Sequence, residues 1–298
     1  MSKLCSMSEA VATLKPGAHI SLPGFAITRC AMAFAHEVIR QQIKDLTLSQ
    51  CVGAMDADML VGAGLVNKII YGGGSLDRFG RLANINRGIE NGTLNADEYS
   101  SLSVAFRYLA GALGLPFIPI RSLMGSDLLN QLKQKESTDI ASVDDPFTGK
   151  DWLVLKPLIP DVAVMHVQVA DEEGNAWILG PKWDNCEQVK ASERTILIAE
   201  HIVSTEIIRQ HPENTCIPGL FVSHVVEQPF GAYPTSVYRE YDYDSDHMKL
   251  YVESSCSKEK FDQYLKDYVF SCKDHWQFLD KVGVQKLSTL RADSLKGY

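Results

Sequence analysis

The sequence predicts an α/β fold: an open, mainly parallel sheet with helices on both faces, closed by a set of C-terminal helices. Three observations carry this. Short apolar runs bounded by glycine and proline alternate with stretches of helical periodicity, the signature of strand–helix–strand units. Asp161 to Val169 is almost continuously apolar, as a strand buried on both faces must be. Two early runs end in glycine turns that lead toward helices, and in parallel sheets the ligand crevice lies at those carboxyl ends.

In order, Ser8-Glu9 opens a first helix with Val11 and Leu14 on one face, stopped by Lys15-Pro16-Gly17. Ala18 to Leu22 is a short buried strand, and Pro23-Gly24 hands it to a helix over Met32 to Ile43. Leu46 to Val52 is the next strand, and Asp56 to Leu60 begins a short helix. Lys68-Ile69-Ile70-Tyr71 is a strand that ends in the flexible turn Gly72-Gly73-Gly74-Ser75. Leu76 to Glu90, which carries Arg78, Arg81 and Arg87, reads as a surface helix stopped by Gly92. Leu102, Phe106, Leu109 and Leu113 then form an apolar stripe at helical spacing, with Ser100 or Ser101 at its N-cap.

Leu115 to Ile120 is a strand bracketed by prolines, Asp127 to Glu136 a polar helix, and Asp144 to Lys150 a turn. Trp152 to Leu155 and Asp161 to Val169 are strands, the second central, with His166 on it as a core histidine. Asp171 to Asn175 turns the chain into Ala176 to Leu179, a hairpin-like excursion. Glu187 to Ser192 is helical, Thr195 to Ala199 a strand, Thr205 to His211 a helix stopped by Pro212, and Leu220 to Val226 a strand. Pro229 to Tyr243 reads as a long ordered loop or a partner surface. Ser257 caps an amphipathic helix with Phe261, Tyr264, Leu265, Tyr268 and Val269 on one face, and Asp274 starts a short one ending at Gly283. No repeat or linker divides the chain, so residues 1–298 are expected to form a single domain.

Composition narrows the class of function. With 298 residues, 45% apolar and 22% charged, the chain can bury a substantial core. Its formal charge of -8 and pI near 5.5, without a basic stripe, argue against nucleic acid and anionic membrane as partners and favour a small-molecule enzyme. Neither a signal peptide nor an apolar run of membrane-spanning length is present, which predicts a cytoplasmic protein. The cysteines Cys5, Cys30, Cys51, Cys186, Cys216, Cys256 and Cys272 form no C-x-x-C pair and are expected to be reduced and mostly buried. The histidines show no metal-binding spacing, so no metal site is expected.

Candidate site residues gather on the two glycine turns. Gly24 permits close approach of backbone to a ligand, and free N–H groups at the following helix start favour anionic or carbonyl oxygens. The same stretch is also consistent with a plain strand-to-helix connection, as the two serines are with simple capping. Arg29 is suited either to a substrate carboxylate or to a surface salt bridge.

Taken together, Gly17 to Arg29, Gly73-Gly74-Ser75, Ser101 to Pro119, Asp161 to Asn175, Ile217-Pro218-Gly219 through Pro229 to Pro234, and Tyr241 to Asp244 resemble the α subunit of family I CoA-transferases, most of all the glutaconate type. Lys273-Asp274-His275 and Leu279 to Gly283 extend the resemblance over nearly the whole chain. It implies a two-subunit enzyme, a heterodimer or heterotetramer with a β subunit, in which a coenzyme A thioester is substrate and no cofactor is bound permanently. The family's nucleophile is a glutamate in a Ser-Glu-Asn-Gly motif of the β subunit, which forms a glutamyl-CoA intermediate. This chain has no Ser-Glu-Asn-Gly. Its implied share is the acyl-binding half of the crevice: Gly24, Phe25, Arg29, Gly73, Gly74 and Ser75, with Arg29 on the distal carboxylate of a dicarboxylic acid. Ser101 stands on the oxyanion side, where family members carry a Gln donor and a ring-opening hydrolase branch a Glu. Pro23 replaces the family's first glycine and removes a backbone donor. Hydrolysis or decarboxylation of a CoA thioester on the same scaffold is the alternative chemistry.

Overall fold

The computed structural model describes residues 2–293, 295 and 296. Its strands are β1 (His19–Ser21), β2 (Leu46–Gln50), β3 (Val66–Tyr71), β4 (Asn95–Glu98), β5 (Ile118–Ile120), β6 (Ile140–Asp144), β7 (Asp151–Leu155), β8 (Val162–Asp171), β9 (Ala176–Trp177), β10 (Arg194–Val203), β11 (Thr215–Ile217) and β12 (Val222–Glu227). The helices are α1 (Met7–Ala12), α2 (Met32–Gln41), α3 (Met55–Gly62), α4 (Ala83–Glu90), α5 (Ser101–Ala112), α6 (Asp127–Gln134), α7 (Asn185–Ala191), α8 (Thr205–Gln210), α9 (Ser245–Ser255), α10 (Lys258–Leu265), α11 (His275–Val282) and α12 (Val284–Leu290).

Seven strands pair in parallel, in the order β12-β10-β8-β1-β2-β3-β4. From β1 the chain winds outward through β4, and from β8 it winds the opposite way through β12. The reversal falls between β1 and β8. β8 is the middle of the row because nine of its ten residues are buried, which only a strand covered on both faces can tolerate. On its β1 side, Val162 and Ala163 pair with Ile20 and Ser21, while Val169 and Ala170 pair antiparallel with Trp177 and Ala176 of β9. The β8 backbone between these two pairings faces the place where the chain leaves β1.

One face of the row packs on α2, α3, α9 and α10 through Phe34, Val38, Met59, Leu60, Met248, Tyr251 and Phe261. The opposite face of β2 and β3 packs on α5, which carries the small antiparallel sheet β5-β7-β6 on its far side. Two carboxylates on α3 tie the first layer together from inside. Asp56, fully buried, accepts from Ala31 N and Ala57 N at 2.9 Å each. Asp58 accepts from Ile85 N, Asn84 Nδ2 and Tyr251 OH, so α3, α4 and α9 meet at one oxygen pair.

Several expectations need correction. The first helix begins at Met7 behind a capping box of Ser6 and Glu9, so Ser8-Glu9 lies inside it. Leu76 to Glu90 is not one helix: a single turn over Asp77–Phe79 is followed by α4, because Gly80 at φ +124° breaks the path. Pro229 to Tyr243 is an ordered loop that folds against its own chain, with Tyr233 and Tyr241 nearly fully buried and Tyr238 exposed. Helices α9 and α12 and strands β4, β6 and β11 were not anticipated. Of the cysteines, Cys30, Cys51 and Cys272 are buried, Cys5, Cys186 and Cys216 half-buried and Cys256 exposed, and all are free. No helix among the described residues is long and apolar enough to cross a membrane.

Candidate active site

The carboxyl ends of β1 to β4 form one edge, and each ends in a sharp turn. After β1, Phe25 and Thr28 exchange backbone hydrogen bonds of 3.0 Å in both directions, closing a reverse turn. Gly24 at φ +81° makes the closure possible: a Cβ there would stand 2.5 Å from Thr28 O and 2.8 Å from Arg29 O. The far side of this turn is clamped by residues more than two hundred positions away. Arg29 N donates to Ser236 O (2.8 Å), Ser236 N to Ile27 O (2.9 Å), and Cys30 N to Thr235 Oγ1 (3.3 Å). The expected free N–H groups at the following helix start are not there, since Ala31 N is taken by Asp56 and Ala33 N by Gly231 O.

Arg29 is not at the surface, and it makes no ion pair with a carboxylate among the described residues. Its side chain is 1% exposed, with Nη1 donating to His166 O (3.0 Å) and Nη2 to Pro181 O (3.0 Å) and Asn185 Oδ1 (2.9 Å). His166 O lies on the β8 segment that neither β1 nor β9 covers, so the guanidinium takes the place of a missing strand partner. Burial lowers its pKa to about 10, still cationic at neutral pH. Above it, Trp183 lies with its ring centre 5.0 Å from the guanidinium carbon, and Phe25 stacks on Trp183 at 5.3 Å with the planes 20° apart. His166 itself is a core residue as expected, fully buried with Nε2 2.9 Å from Glu200 Oε1.

The second turn follows β3 and packs against the start of α5. Gly73, at φ +81°, accepts from Gly53 N at 2.8 Å, and Ser75 N reaches Gly53 O at 3.3 Å. Gly74 lies against the turn after β2, where a Cβ would meet Gly53 O at 2.6 Å. Gly73 N and Gly74 N make no hydrogen bond among the described residues. Ser75 Oγ accepts from Asp77 N, starting the next turn.

Ser100, not Ser101, is the N-cap of α5, its Oγ accepting from Ser103 N at 3.1 Å. Ser101 is the first helical residue, and its hydroxyl donates to Gly72 O at 3.0 Å. Cys51 Sγ donates to Ser101 O at 3.1 Å, and burial pushes this thiol up to about 12. Gly73, Gly74 and Ser101 are therefore brought to one place, while Gly24 and Phe25 stand at the end of β1, two strands away.

Three features escaped sequence reasoning. Trp183 lies in an irregular stretch where no periodicity marks it. Glu98 ends β4 opposite Tyr71, and its Oε1 is 3.7 Å from where a Gly73 Cβ would be. Burial and then Glu98 raise the Tyr71 phenol to about 12. Glu90-Asn91-Gly92 repeats three residues of the family's nucleophile motif, but it terminates α4 just before β4 begins. That puts Glu90 at the amino ends of the strands, opposite the crevice.

A model for "Coenzyme A transferase" matches residues 5–228. The chain is 34% identical to a glutaconate CoA-transferase subunit of Acidaminococcus fermentans, over all of this chain and 97% of that one. It is 28% identical to the cholesterol ring-cleaving hydrolase IpdA subunit of Mycobacterium tuberculosis, covering 92% and 96%. An uncharacterized protein of Archaeoglobus fulgidus is 36% identical, and the chain spans 63% of its length. The crystal structure of glutaconate coenzyme A-transferase from Acidaminococcus fermentans superposes with a TM-score of 0.95 at 32% identity, covering 100% of this chain and 98% of that one. The chain belongs to the coenzyme A transferase family.

Proposed function

We propose that this chain is the α subunit of a two-subunit CoA-transferase that moves CoA between an acyl-CoA and a small carboxylic acid. One observation supports this most directly: the turn after β3 and the first turn of α5 converge at the crevice edge, with Gly73 N and Gly74 N free to donate. Such preorganised donors stabilise the oxyanion of a thioester under attack. Ser101 holds the turn in place, since its hydroxyl proton is already committed to Gly72 O. The chain lacks the family's nucleophile motif, so the attacking glutamate is supplied by a β subunit, and the nucleophilic half of the crevice is closed by that partner. The full-length likeness to one subunit of glutaconate CoA-transferase supports the same division of labour.

The test is coexpression with a β-type CoA-transferase chain, followed by incubation with an acyl-CoA and an isotopically labelled acid. Labelled acyl-CoA without net loss of thioester is the expected result. Full activity from this chain alone overturns the two-subunit reading.

A second reading, thioester hydrolysis on the same scaffold, is favoured by Glu98. Its carboxyl group stands beside the Gly73 turn with no hydrogen bond or ion pair among the described residues, placed to orient a water there. Release of free CoA in place of exchange distinguishes it.

A further inference from the structure

In open α/β sheets, ligands bind beyond the carboxyl ends of the strands where the strand order reverses, here between β1 and β8. Two large aromatic rings stand open at that point: Phe25, just after β1, 39% exposed, and Trp183, beyond β9, 36% exposed. They stack on one another into a continuous apolar ledge. The backbone around them is in the left-handed region at the non-glycine residues Ala26, Arg29, Trp183 and Arg239, conformations that persist only where the surroundings enforce them.

A cavity of about 360 Å³ adjoins the ledge, walled by Thr28, Pro181, Trp183, Val237, Tyr238 and Tyr241. Arg239 and Asp242 share its lining, so it carries no net charge, and the Arg239 guanidinium lies over Tyr238. Arg29, the cation expected to hold a second substrate carboxylate, is beneath the ledge and spent on His166 O, Pro181 O and Asn185 Oδ1.

We infer that the acid this site takes is a monocarboxylic acid with an apolar chain: Phe25 and Trp183 hold the hydrocarbon tail, which ends in the adjoining cavity, while its carboxyl end reaches the glycine turns. This rests on the reading of those turns as the acyl-binding half, and it assigns Trp183 as a specificity-determining residue.

Hexanoate and adipate, six-carbon acids that differ in a terminal methyl or carboxylate, test it by calorimetric binding to the complex of this chain with its β subunit. Hexanoate is expected to bind at least tenfold more tightly than adipate. Trp183→Ala and, separately, Phe25→Ala should weaken hexanoate at least fivefold and leave acetate within twofold, with Trp183→Phe restoring most of the loss. Melting temperatures identify a variant that has failed to fold, and the exposed position of Phe25 keeps the second variant informative. Adipate binding as tightly as hexanoate, equal losses for acetate and hexanoate, or no saturable hexanoate binding each overturn the inference. Because binding is read without turnover, a complex that binds hexanoate as described but exchanges no CoA overturns only the transfer reading.

Discussion

Gly72 and Ser101 touch through their backbones: a Cβ on Gly72 would stand 2.4 Å from Ser101 Cα and 2.6 Å from Ser101 N, while Ser101 Oγ donates to Gly72 O at 3.0 Å. The end of β3 and the start of α5 are thus one unit, and nothing larger than hydrogen fits between them. Gly72→Ala should force the two apart and cost roughly 3 kcal/mol or more, since the obstructing atoms are backbone and cannot rotate away. Urea denaturation checks the stability, and exchange activity of the complex should fall with it.

Ser100 and Ser101 should separate in kinetics. Ser100→Ala removes a cap worth about 1 kcal/mol and should lower the melting point with little change in kcat/KM. Ser101→Ala frees Gly72 O and loosens the turn that carries the Gly73 and Gly74 donors, so kcat/KM should fall about tenfold or more. Equal kinetics for the two variants would reduce Ser101 to a structural tie.

Two glycines with nearly the same backbone angle give a controlled comparison. Gly17 at φ +83° has nothing within 4 Å of a Cβ, whereas Gly24 at φ +81° meets Thr28 O at 2.5 Å. Gly17→Ala should therefore cost only the left-handed conformation, about 1 kcal/mol. Gly24→Ala adds the collision and should cost several times as much by denaturant titration. A Cβ on Gly24 strikes the turn's own backbone, so the loss of stability comes with, rather than after, any loss of activity.

Arg29→Lys keeps the charge but cannot reach three divergent acceptors from one planar fork. The variant should be destabilised by about 2–4 kcal/mol because buried carbonyls lose their donor. Near-unchanged melting would show that the β8 edge finds another partner.

Acid should weaken the fold before it reaches the ordinary carboxylate range. Burial lowers His247 and His275 from 6.5 to about 4, with Nε2 of each hydrogen-bonded to Tyr264 OH and Phe230 O. The unfolded chain takes up these protons first, so stability is lost as pH falls from about 6.5 toward 4, by on the order of 3 kcal/mol per histidine at most. Asp56, raised to about 6 by burial, has the opposite sign and weakens the fold as pH rises from about 4 to 6. Denaturation midpoints of wild type and His275→Gln against pH separate the two, because the variant should lose part of the histidine slope only.

The parallel row was legible because β1, β2, β3 and β8 are apolar runs punctuated by glycine or proline, and burial on both faces leaves no other composition. The two glycine turns were legible for the same reason. The role of Arg29 was not, since a charged side chain beside a helix start looks the same in sequence whether it reaches solvent or fills a gap in a strand's hydrogen bonding. Only the short length of β1 against the ten residues of β8 creates that gap. Helix α9 was hidden by its polar face, and its buried side is set by Met248 and Tyr251 against Asp58 and Asn84, partners distant in sequence.

The clamp of Ser236 and Thr235 on the β1 turn sets an order of events during synthesis. Every strand of the parallel row has left the ribosome once Glu227 has, so the sheet can form while the crevice is still unfinished. Ile27, Arg29 and Cys30 then wait for a segment more than two hundred residues downstream before their backbone bonds close. A nascent or truncated chain ending near Glu227 would therefore carry the sheet without the completed turn.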